Sequence, residues 1–114
     1  MAEEEMETLK LLGLSPTQVR IYLTLVKTGK ATARTLATIS NTTRPEVYRT
    51  MSSLQKLGLA QKIISVPVIF EATHAEHALT ALVEDKTQQM LHLGQKVNNL
   101  INKLVNREKE EIEA

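Results

Sequence analysis

The 114-residue sequence contains no cysteine and no tryptophan. Without cysteine there is no disulfide, no thiol nucleophile and no cysteine-based zinc site, and a reducing, intracellular setting fits. Tyr22, Tyr48 and Phe70 are the whole aromatic complement, too sparse for the stacking platforms that hold single-stranded nucleic acid. No stretch of about 18 apolar residues occurs, so no membrane-spanning helix is expected. The N-terminus is acidic and has no apolar run before a small-residue cleavage site, so no signal peptide is indicated. These absences together predict a cytoplasmic protein.

Acidic residues are also missing from the middle of the chain. Between Ser15 and Phe70 stand Arg20, Lys27, Lys30, Arg34, Arg44, Arg49, Lys56 and Lys62, against Glu46 alone. The formal net charge of +1 therefore conceals a basic centre between two acidic flanks. A compact basic block on an otherwise acidic chain is the electrostatic footprint of a polyanion-binding face.

Periodicity sets the elements. Residues 3–12 read as a short helix with acids in its first turn, where the helix dipole favours them, and an apolar stripe of Met6, Leu9 and Leu12. Ser15-Pro16 opens a second helix, Ser as N-cap and Pro in the first turn, with a broad apolar face and a stop at Gly29. Thr32 caps a third helix from Ala33 to about Ile39, with Leu36, Ala37 and Ile39 expected inside. Asn41 takes the left-handed conformation in the turn that follows. Thr43 and Glu46 fit a capping box for a fourth helix ending near Leu57, with Val47, Met51 and Leu54 buried and Tyr48 at the edge of the core. Leu59–Ser65 and Val68–Thr73 are rich in β-branched residues and form a predicted hairpin with Pro67 at its tip. From His74 a long helix runs towards the end, about 60 Å if fully formed. Its apolar residues recur with heptad spacing, and beyond Leu104 the pattern predicts fraying.

A core helix, a short helix, a tight turn, a longer helix and a hairpin follow one another in the order of a winged helix-turn-helix. The predicted fold class is thus mainly α with a small β-hairpin. Residues 1–73 form the winged helix-turn-helix domain and 74–114 a long dimerisation helix. The fourth helix must bury one stripe and present polar and cationic side chains to a major groove about 12 Å wide. Arg44 and Arg49 suit guanine edges, while Thr43, Thr50 and Ser53 suit phosphates or a thymine methyl. Arg34, Lys56 and Lys62 suit backbone positioning. The expected partners are double-stranded DNA with a near-palindromic site and a second copy of the chain. That copy would be held through Met90, Leu93, Val97, Leu100, Ile101 and Leu104, which would expose a large apolar patch in a monomer.

The chain also resembles the DNA-binding domain of the TrmB-type archaeal transcriptional regulators over about residues 9–83. The resemblance rests on Leu12-Gly13-Leu14-Ser15, Val19 with Tyr22-Leu23, Gly29 followed by Ala31-Thr32-Ala33, and Leu36-Ala37. Arg44, Val47-Tyr48, Leu54, Leu57-Gly58-Leu59 and Phe70-Glu71-Ala72 complete the ordered set. It implies a winged helix that dimerises through terminal helices and binds promoter DNA. Many members add a sugar-binding domain, which this sequence is not expected to contain. The wing tip Ser65-Val66-Pro67-Val68 carries no base, unlike many wings.

Competing readings are fewer. His74 and His77 lie one helical turn apart but lack a third ligand at motif spacing, so no metal site is expected. Glu84-Asp85 has no partnered base or nucleophile, so no enzyme is expected. No cofactor or small-molecule ligand is expected. The alternative function is a winged-helix protein-interaction module in a transcription-related assembly, favoured by the apolar wing.

Overall fold

Helix boundaries follow the caps. In the computed structural model, which describes residues 2–113, α1 spans Ala2–Leu11 and α2 spans Pro16–Thr28. Ser15 begins α2 with a full capping box. The Gln18 amide donates to the Ser15 hydroxyl at 3.1 Å, and the Ser15 amide donates to the Gln18 side chain at 2.8 Å. Two otherwise orphaned donors are thereby satisfied. α2 ends at Gly29, whose φ of 81° suits a residue without a side chain.

Strand β1 (Lys30–Thr32) follows, then α3 (Ala33–Ile39), capped by the Thr32 hydroxyl accepting from the Thr35 amide at 3.2 Å. Asn41 sits at φ 53° in the turn before α4 (Arg44–Lys56). Thr43 caps α4 by accepting from the Glu46 amide at 3.3 Å. The Glu46 carboxylate pairs instead with Arg49, one turn on. Only the Thr43 half of the expected box is made.

The hairpin consists of β2 (Ala60–Ile63) and β3 (Ile69–Ala72). Sequence periodicity misses β1. It pairs antiparallel with β3 in the register Lys30↔Glu71, Ala31↔Phe70 and Thr32↔Ile69, so β3 is central in a three-stranded sheet ordered β1-β3-β2. Across the other edge, Ala60 faces Ala72 and Ile63 faces Ile69.

The core gathers Val19, Ile21, Leu25, Leu36, Val47, Met51, Leu54 and Leu59, all fully buried, with Tyr22 and Phe70 nearly so. Each such aliphatic side chain stabilises the fold by roughly 2 kcal/mol through removal from water. Ile39, expected inside, is exposed. It is the last residue of a seven-residue helix whose inward positions are already filled by Leu36 and Ala37.

Helix α5 runs from Ala75 to Glu113. It continues past Leu104, where fraying was expected, because the acids and bases of its last turns are compatible with helix. The chain divides into two compact units between Leu82 and Val83. The first turns of α5 belong to the first unit, since Ala78 and Leu82 are buried in its core. In the second unit Met90, Leu93, Val97, Leu100, Ile101 and Leu104 are all exposed. Among the described residues no helix is long and apolar enough to cross a membrane.

Candidate nucleic-acid interface

The outer side of α4 is fixed by what its inner side buries. Val47, Thr50, Met51 and Leu54 face the core. Arg44, Pro45, Tyr48, Arg49, Ser52, Gln55 and Lys56 face solvent. The structure divides the sequence-derived contact residues into two groups on opposite flanks of that exposed side.

Arg44 lies on the flank towards the wing. It lines a cleft of about 270 Å³ with Arg34 of α3, Tyr48, Pro67 and Val68. Tyr48 is 51% exposed, and its ring meets Phe70 of β3 edge-on with centroids 5.9 Å apart. It is both anchored to the core and open to solvent.

Arg49 lies on the flank towards α2, beside Glu46, Ser53 and the capping residues Ser15 and Gln18. Its guanidinium is already paired with the Glu46 carboxylate. Two of the expected contacts sit less openly on this flank. Thr50 is only 5% exposed and belongs to the buried face of α4. Ser53 is half-buried: its hydroxyl donates to the Thr50 carbonyl at 2.8 Å and accepts from the Gln18 side chain at 3.0 Å. The second bond ties α4 to α2.

Thr43 is exposed at the start of α4, Lys56 in its last turn and Lys62 on β2. Ser52 and Gln55 belong to the same exposed side and were not singled out from sequence. Helical spacing from Tyr48 would have found both, since each lies within two turns of it on one side of the helix. The wing tip is apolar and open: Ile64 is 91% and Val66 103% exposed. The rings of His74 and His77 lie 5.2 Å apart, and among the described residues no cluster of three or more metal-ligating side chains forms.

A helix pair, a turn and a three-stranded wing around one core define a winged helix-turn-helix protein. The family model "Sugar-specific transcriptional regulator TrmB" matches residues 9–76, and the chain belongs to that family. The description of that family is of transcriptional regulators.

Among solved structures, TrmBL2, an archaeal chromatin protein described as showing a novel mode of DNA binding, superposes with a TM-score of 0.74. Identity is 23%, over 91% of this chain and 43% of TrmBL2, so the present chain spans less than half the length of that relative. ST1889 from the thermoacidophilic archaeon Sulfolobus tokodaii matches with a TM-score of 0.67 at 18% identity, covering 81% of this chain and 97% of its own. A MarR-family regulator from Silicibacter pomeroyi matches at 0.57 and 19% identity, covering 73% of this chain and 59% of its own. These likenesses show a shared fold. No curated protein matches the sequence.

Proposed function

We propose that the chain is a homodimeric, sequence-specific regulator that binds duplex DNA through α4 and acts in the cytoplasm. The observation that carries this reading is the exposed side of α4, with Arg44, Arg49 and Lys56 outward on a segment whose only acid is Glu46. Arg49 reads a base edge, Arg34, Arg44 and Lys62 hold phosphates, and Thr43 offers its hydroxyl where the helix meets the groove. The exposed heptad residues Met90, Leu93, Val97, Leu100, Ile101 and Leu104 support pairing with a second copy. Two copies of α4 then enter successive major grooves about 34 Å apart on a near-palindromic site.

The test is fluorescence anisotropy on a duplex selected from a random pool, at two salt concentrations. Arg49→Ala weakens the selected duplex by about 1–3 kcal/mol and relaxes its sequence preference. Lys62→Ala weakens all duplexes alike and lowers the salt slope by about one. Wild-type affinity in Arg49→Ala sinks the assignment of α4 as reading helix. The exposed Ile64 and Val66 favour a second reading, a protein-docking wing. Salt-insensitive or absent binding to random duplex would select it.

A further inference from the structure

The cleft between α4 and the wing contains two cations and no acid. Arg34 and Arg44 line it together with Tyr48, Pro67 and Val68. The ion pair among the described residues belongs to Arg49 and Glu46, on the opposite flank of α4. Two guanidinium groups sharing one recess repel each other until an anion joins them. Planar guanidiniums suit the oxygens of a phosphate in particular.

The wing's share of the lining is different in kind. Pro67 and Val68 are uncharged and apolar, so a bare anion would leave them unused. A phosphodiester with its deoxyribose attached suits both kinds of lining, with charge against the arginines and a saturated ring against proline and valine. Tyr48 completes the arrangement. Its contact with Phe70 fixes the ring, and its open half offers a phenol donor at the same recess.

We propose that this cleft holds one phosphodiester of the bound duplex. Arg34, Arg44 and the Tyr48 hydroxyl donate to the phosphate, while Pro67 and Val68 cover the adjoining deoxyribose. The proposal rests on the DNA-binding reading above and adds two things to it. Tyr48 becomes a contact residue, and the wing, which has no base at its tip, grips DNA by apolar contact instead of charge.

The experiment is anisotropy with a labelled mixed-sequence duplex across a salt series, on wild type, Tyr48→Phe, Arg44→Ala and the double variant. Tyr48→Phe keeps the ring against Phe70, so the melting temperature stays at the wild-type value. Its affinity falls by about tenfold, the loss of one hydrogen bond to a charged group. The salt slope is unchanged because a phenol releases no counterion, whereas Arg44→Ala lowers the slope by about one. The double variant loses less than the product of the two single losses, because both side chains act on one phosphate. Inorganic phosphate at matched ionic strength displaces no more duplex than chloride does.

Wild-type affinity in Tyr48→Phe, fully multiplicative losses, or strong displacement by free phosphate would each overturn the proposal while leaving DNA binding intact. Failure of the wild-type protein to bind duplex even in dilute salt would instead remove the DNA-binding reading itself.

Discussion

Tyr22 is the residue whose chemistry fits its surroundings least well. It is 2% exposed, and its hydroxyl is buried without a hydrogen-bond partner. Burial pushes the phenol above its ordinary value of 10.0, since the low-dielectric interior disfavours phenolate. The folded state therefore keeps this proton to higher pH than the unfolded chain. Its contribution to stability is complete below pH 10.0 and is lost as pH rises through the raised value. Tyr22→Phe is expected to raise stability by up to about 1 kcal/mol by removing the unpaired group, and to shrink the alkaline loss. Urea unfolding of both proteins well below and above that pH measures both effects.

The Arg49–Glu46 pair makes a second residue-scale point. On the surface proposed for a polyanion, Glu46 neutralises one of the cations of α4. An exposed pair of this kind adds little stability. In the proposed complex its larger effect is on binding, because Arg49 would leave Glu46 to meet DNA. Glu46→Gln is expected to tighten mixed-sequence duplex binding and steepen the salt slope by about one, with stability nearly unchanged. Anisotropy across a salt series checks it.

Local chemistry governs the elements. Ser15→Ala removes the hydroxyl half of the α2 capping box and is expected to cost about 1 kcal/mol in denaturant unfolding. Most of the fold was legible for this reason: Ser15, Thr32 and Thr43 as caps, Gly29 as a stop and Asn41 at positive φ are all local signals. Two features escaped, one because its cause is tertiary and one because a polar side chain stands on the buried arc. Lys30-Ala31-Thr32 is too short to alternate and becomes a strand only through β3, some forty residues on in sequence. Thr50 lies about 40° from Leu54 around the helix axis at 100° per residue, which brings it inside the buried arc. Its hydroxyl disguised that position. Reading all four buried residues as one arc would also have placed Ser52 and Gln55 on the outer side. The cleft beside the wing was not legible at all, since Arg34, Arg44, Tyr48 and Pro67 come from two elements and a loop.

At the scale of the whole molecule, the open question is how many copies act together. Exposed Val97 and Leu100 sit at heptad positions of α5. In the proposed dimer, replacing both with Asp is expected to yield a monomer by analytical ultracentrifugation. Affinity for a two-half-site duplex then falls by about a hundredfold, the loss of avidity, while affinity for a single half-site is retained. An unchanged sedimentation coefficient would reassign the apolar stripe of α5.

The central place of β3 has a mechanical consequence. Held by hydrogen bonds along both edges, and with Phe70 beneath Tyr48, the base of the wing cannot swing independently of the reading helix. In the DNA-bound molecule, a groove that misfits the spacing between them would have to be accommodated by bending or widening of the duplex. Sites would then be ranked partly by how readily their base steps yield, at positions no side chain touches.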